Sequence, residues 1–222
     1  VASLSTAMLT TAQVAAMSTA QLESLTGTLS SVQTQAISTA TIQALGTAVA
    51  SLTTSSLTTA QVAALTTAQI ESLTGSLSTA QTQAISTTNI QALGTNVASL
   101  TTAMLSTAQV AVLSAPQVTA ISSALSSTQI GALSTSGVVG LTLAGLTTAD
   151  TQALTTKDIQ ALGTNVAALT TAMLTTAQVA AMSTAQLESL TGTLSSVQTQ
   201  AISTATIQAL GTAVASLTTS SL

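Results

Sequence analysis

"LTTAQVAALTTAQIESLTG", residues 57–75, repeats itself almost word for word in steps of eight, and how one such octad folds decides the fold of the chain. Leu57 precedes Thr58, Gln61 follows the Thr by three, and Val62 comes next. With Thr58 as helix N-cap, its hydroxyl accepts from the Gln61 amide, the Gln61 side chain reaches back to the Thr58 amide, and Leu57 packs on Val62. That is a capping box with a hydrophobic staple. The same assignment works at Leu65, Thr66, Gln69 and Ile70, and at Leu9, Thr10, Gln13 and Val14. Leu65 then closes one short helix and staples the next. Each octad is expected to give a helix of about seven or eight residues, too short to persist alone in water.

Working outward, two octads and a turn make a 20-residue repeat, as in Leu57 to Ser76 and Leu77 to Asn96, and an eight-residue spacer follows as Val97 to Met104. Val1–Ala48 and Val49–Asn96 are 48-residue units, Val97–Asn165 is a 69-residue variant, and residues 166–222 repeat residues 1–57 with two changes. The reading is one continuous repeat array over 1–222, an excerpt of a longer chain. The spacers, such as Val49 to Ser56, are open to two roles: setting the local twist or presenting a contact surface.

Punctuation agrees with helices. Gly27, Gly46, Gly75, Gly94, Gly163, Gly192 and Gly211 fall at or after octad pairs, where a left-handed C-terminal cap suits glycine. Pro116 falls at N2 after Ser114, in the first turn, where a missing N–H costs little. Asp150 and Asp158 take the N3 place after Thr147 and Thr155, where a carboxylate favours the positive helix end.

A Thr-, Val- and Ile-rich β-solenoid is the alternative, since these residues also favour sheets. Spacing speaks against it, because Leu57 and Val62, five apart, would lie on opposite faces of one strand. The fold expected is all-α: a repeat solenoid of short capped helices in 20-residue helix–turn–helix repeats, stabilised by stacking.

Composition limits function. The 222 residues carry a net charge of −4, 3% charged residues, no aromatics, no His and no Cys, while hydrophobic residues make up 46%. With mean hydropathy of +0.63 the chain is too apolar for ordinary disorder. A single cation, Lys157, leaves nothing to neutralise phosphates, which excludes nucleic acid as a partner. No apolar run approaches the roughly 18–20 residues of a membrane span. Absence of Cys and His removes thiolate metal sites and the usual general base.

The remaining titratable groups are Glu23, Glu71, Asp150, Lys157, Asp158 and Glu188. The three Glu residues occupy one repeat position and read as a solvated helix face; Lys157 and Asp158 are neighbours that do not face each other on a helix. Met8, Met17, Met104, Met173 and Met182 read as core filling. No catalytic, cofactor-binding or metal-binding residue is nominated, no cofactor is expected, and the chain is read as not an enzyme.

A coat of Thr, Ser, Ala and Gln without charge invites association, since a soluble domain carries about a quarter charged residues. The octads Leu57 to Ala64, Leu65 to Ser72 and Leu105 to Val112 resemble the L-[ST]-[ST]-A-Q-[VI]-x-[AS] repeats of long bacterial surface proteins described as type I secreted, RTX-like or giant adhesins. The pattern is also similar to the superhelical repeats of mesothelin-like proteins, with Ala or Thr where acidic residues usually stand. The resemblance implies secretion, a cell-surface or matrix location and a fibrous role. The Gly- and Asp-rich calcium nonapeptides of RTX proteins are absent, so calcium binding does not carry over. The function expected is a structural protein that self-associates into an extracellular filament, sheath or biofilm-matrix fibre. The alternative is the stalk of an adhesin that presents a binding domain outside this window, and ice binding by aligned Thr rows is a third reading.

Overall fold

Octads with a Ser or Thr cap fold as the local chemistry dictates. In this computed structural model, which describes residues 5–216, Thr58 is extended at φ −72° and ψ 160°. The Gln61 amide donates to its hydroxyl at 3.1 Å and the Thr58 amide donates to Gln61 Oε1 at 2.8 Å. Thr66 with Gln69 and Thr10 with Gln13 form the same box. The first four residues of the opening 48-residue unit and the last six of the closing repeat lie outside the described residues.

The chain falls into two units, Val1–Gln109 and Val110–Leu222. In the first, the helices are α1 (Thr11–Ala15), α2 (Thr19–Glu23), α3 (Ser31–Ala36), α4 (Thr39–Ala44), α5 (Thr59–Ala63), α6 (Thr67–Ser72), α7 (Thr79–Ala84) and α8 (Thr87–Ala92), with α9 (Thr107–Ala111) at the unit boundary. They are five or six residues long, shorter than the seven or eight expected. The physical reason is that Leu57, the cap Thr58 and the C-cap Ala64 consume three places of an octad.

First-octad helices α1, α3, α5 and α7 begin at Thr11, Ser31, Thr59 and Thr79, so successive coils are 20, 28 and 20 residues long. α1 packs on α3 and α5 on α7. The longer coils hold the spacer, which forms 3-10 turns at Gly46–Ser51 and Thr54–Ser56 after α4, and at Gly94–Ser99 and Thr102–Met104 after α8. The Gly46–Ser51 turn packs on α6 and the Thr54–Ser56 turn on α3. Val49 and Val97 are wholly buried, so the spacer side chains help build the core between coils.

Gly46 and Gly94 take positive φ, 52° and 53°, as the turn position requires. Gly75 does not, which corrects its assignment to a left-handed cap. It is needed for close approach: its N–H donates to Thr54 Oγ1 at 3.2 Å, and a Cβ there would sit 3.0 Å from Thr54 Cβ and Oγ1.

The second unit continues with α10 (Ala115–Ile121), α11 (Ser127–Ile130), α12 (Thr135–Val138), α13 (Thr148–Ala153), α14 (Thr156–Ala161), α15 (Thr176–Ala180), α16 (Thr184–Ser189), α17 (Ser196–Ala201) and α18 (Thr204–Leu210). Coils starting at Ser127, Thr148, Thr176 and Ser196 run 21, 28 and 20 residues. Ser114 caps α10 and Pro116 lies in its first turn. The turns Gly163–Ala168 and Thr171–Met173 repeat the spacer, with Val166 wholly buried.

Among the described residues there is no β-strand; a lone parallel bridge joins Thr170 and Thr191. The β-solenoid alternative is therefore set aside, because among the described residues short α-helices and 3-10 turns interrupt the extended backbone throughout the repeats. The fold is an all-α repeat solenoid in which coil stacks on coil. No helix among the described residues is long and apolar enough to cross a membrane.

Candidate functional site: the glutamine contacts between coils

The N3 glutamines make the most regular feature of the molecule. In a capping box the side chain needs only an oxygen, and Gln61 Oε1 supplies it to Thr58. That leaves the NH2 group of a residue only 2% exposed. Gln61 Nε2 donates at 2.8 Å to the carbonyls of both Thr34 and Ile37, at the C-terminal end of α3 one coil back. Helix C-termini present carbonyls in need of donors, and a primary amide serves two at once: Gln61 gives the Ile37 carbonyl a donor and the Thr34 carbonyl a second one beside the Ile37 amide at 3.2 Å.

The offset hardly varies. Gln33 donates to Thr6 and Leu9, Gln81 to Thr54 and Leu57, and Gln109 to Thr82 and Ile85, always 27 and 24 residues back. In the second unit Gln178 donates to Thr151 and Leu154, and Gln198 to Thr171 and Leu174. Second-octad glutamines do the same at 27 and 23: Gln69 to Ile42 and Gly46, Gln186 to Ile159 and Gly163. Asn89, one carbon shorter, reaches the Leu65 carbonyl at 2.7 Å. Sequence reasoning assigned these side chains to capping alone and missed their second bond. A signal was present: Glu caps as well as Gln, yet the N3 places hold Gln in octad after octad, which marks the amide hydrogens as used.

The titratable residues do not converge. Glu23, Glu71 and Glu188 are exposed at equivalent places, and Glu71 accepts from Asn96 Nδ2 at 2.7 Å. Asp158 is buried and accepts from the Thr155 amide and hydroxyl, while Lys157 beside it is exposed. Partial burial pushes the Asp150 carboxyl up, but hydrogen bonds from the Ser127 hydroxyl and from the Thr147 amide and hydroxyl outweigh it and hold the group below its ordinary value. No group of three or more Asp, Glu, His or Cys lies together among the described residues.

A cleft of about 250 Å³ opens beside the turn after α6, lined by Glu71, Leu73, Gly75, Leu77, Thr82 and Ser99. A smaller counterpart of about 80 Å³ stands 48 residues earlier, beside Glu23, Leu25, Gly27 and Ser51. One carboxylate among hydroxyls and leucines makes neither an acid–base pair nor an activated nucleophile. Thr34, wholly buried, has a hydroxyl oxygen without a hydrogen-bond partner. The equivalent hydroxyls of Thr82 and Thr151 approach the sulfurs of Met104 and Met173 at 3.9 Å, and the corresponding place opposite Thr34 is Ser56.

Comparison with protein-family models, with curated proteins and with solved structures finds no match to this chain.

Proposed function

We propose that this protein is a structural element that self-associates into an extracellular filament, sheath or matrix fibre. The observation that carries the reading is the division of polar labour between inside and outside. Amide groups that would hydrate the surface are spent between coils, and the exterior left to solvent is mostly Thr, Ser, Ala and Gln with exposed Met8, Val32 and Val197, with 3% charge in the whole sequence. Such a surface lacks the like-charge repulsion that keeps copies apart. The resemblance of the octads to secreted bacterial repeat proteins supports the extracellular place. No acid–base or nucleophilic constellation competes with this reading in the clefts beside Glu71 and Glu23.

Electron microscopy and sedimentation of the purified chain over rising concentration test the proposal, with filaments expected to appear and lengthen. A single monomeric species up to the solubility limit overturns it. Assembly should also shield Lys157, the one Lys or Arg in the sequence, which is exposed on α14 in the single chain. Trypsin is expected to cut the dilute protein and to spare the fibres.

A further inference from the structure

From the bonds between coils we infer that the solenoid is an extensible element which unwinds under tension one coil at a time and rewinds when released. The long-range hydrogen bonds described join positions 20 to 27 apart, from Thr142 with Ser122 to Gln33 with Thr6, so each reaches no further than the coil before it or, across a 20-residue coil, the one before that. No disulfide spans several coils, since the sequence has no Cys. Nearest-neighbour attachment of this kind makes stability a sum over interfaces. A coil pulled from its neighbour also loses its internal structure, because helices of four to seven residues do not persist alone. Detaching one coil therefore breaks only the glutamine contacts that reach it or cross it, as Gln81 crosses the 59–78 coil to Thr54 and Leu57, and coils farther along remain held by their own sets. Rewinding closes loops of only 20 to 28 residues, which favours fast recovery.

Single-molecule stretching of the full chain by its two ends tests this inference, and because one molecule suffices, the outcome is separate from that of the assembly experiment. The expected record is a series of small releases in two sizes. They correspond to 20- and 28-residue coils, with contour lengths of about 66–72 Å and about 92–101 Å. One release of the whole chain, or two releases of about 360–400 Å each matching the two units, would overturn it. In Gln61→Leu the link from α5 to the Thr34 and Ile37 carbonyls is gone, and one event should shorten its lifetime at fixed force roughly tenfold while the others keep theirs. A uniform weakening of every event contradicts nearest-neighbour coupling, and the sizes of the wild-type releases decide the matter even if that variant does not fold.

Discussion

In the coil of α15 and α16 the N3 places are held by Gln178 and Gln186; in the coil before it, α13 and α14, they are held by Asp150 and Asp158. All four complete a capping box. Only the glutamines also donate to the coil behind, Gln178 to Thr151 and Leu154, Gln186 to Ile159 and Gly163, because a carboxylate has no N–H. The α13–α14 coil therefore receives amide bonds through its carbonyls and gives none through its N3 side chains. Its link backward includes Ser127 donating to Asp150 Oδ1 at 2.6 Å. Capping and stacking are separate tasks, and the choice between Asp and Gln decides whether one side chain performs both.

The comparison is broken most severely by Gln178→Leu. The Thr175 amide loses its acceptor, the Leu154 carbonyl loses its donor and the Thr151 carbonyl keeps only the Leu154 amide, with an expected loss of about 3 kcal/mol in denaturant unfolding. A loss below about 0.5 kcal/mol would mean that the stacking bonds add nothing net. Gln178→Glu is the subtler break, since it keeps the cap oxygen but sets a carboxylate against the Thr151 and Leu154 carbonyls. The cost at neutral pH should be about 2 kcal/mol. That carboxyl is stabilised in its neutral, donating form, so its folded pKa lies above the unfolded value of about 4.3. Stability is then full below about pH 4.3 and declines as pH rises through the folded pKa; titrating unfolding against pH checks the sign.

Asp150→Gln sharpens the comparison from the other side by returning a donor to the α13–α14 coil. A gain of about 1 kcal/mol is expected in the same unfolding assay, and a loss would show that the Ser127 bond is the better link. Thr34→Val, which removes an unpartnered buried hydroxyl, should gain up to about 1 kcal/mol, while Thr82→Val, which forfeits the approach to Met104, should gain less. The smallest effect concerns acid. With its carboxyl held below the ordinary value, Asp150 contributes stability that is present above the unfolded pKa of about 3.9 and lost as pH falls through the lower folded pKa. Asp150→Asn should flatten that part of the acid limb of the stability curve.

Much of this architecture was legible because its rules are local. Leu57, Thr58, Gln61 and Val62 contain both halves of a cap within six residues, so the helix start could be read without knowing any neighbour. The alternation of 20- and 28-residue coils was visible as repeats and a spacer. The acceptors of Gln61 were not legible, since Thr34 and Ile37 come into reach only through the stacking offset, which no single octad encodes. For the same reason the spacer's burial was missed, as Val49 and Val97 look like any other valine until a coil lies on top of them. Gly75 was misread because a glycine required by an approaching Thr54 looks, in sequence, like one required by its own φ.

Hydrogen exchange of the glutamine side-chain amides in the 15N-labelled chain tests the central claim most directly. Gln61, Gln81 and Gln178, buried and bonded to an earlier coil, should exchange slowly, whereas Gln35 and Gln83, exposed on α3 and α7, should exchange freely. Equal, fast exchange at all five would contradict the account, because the amides would then hold no coil to its neighbour.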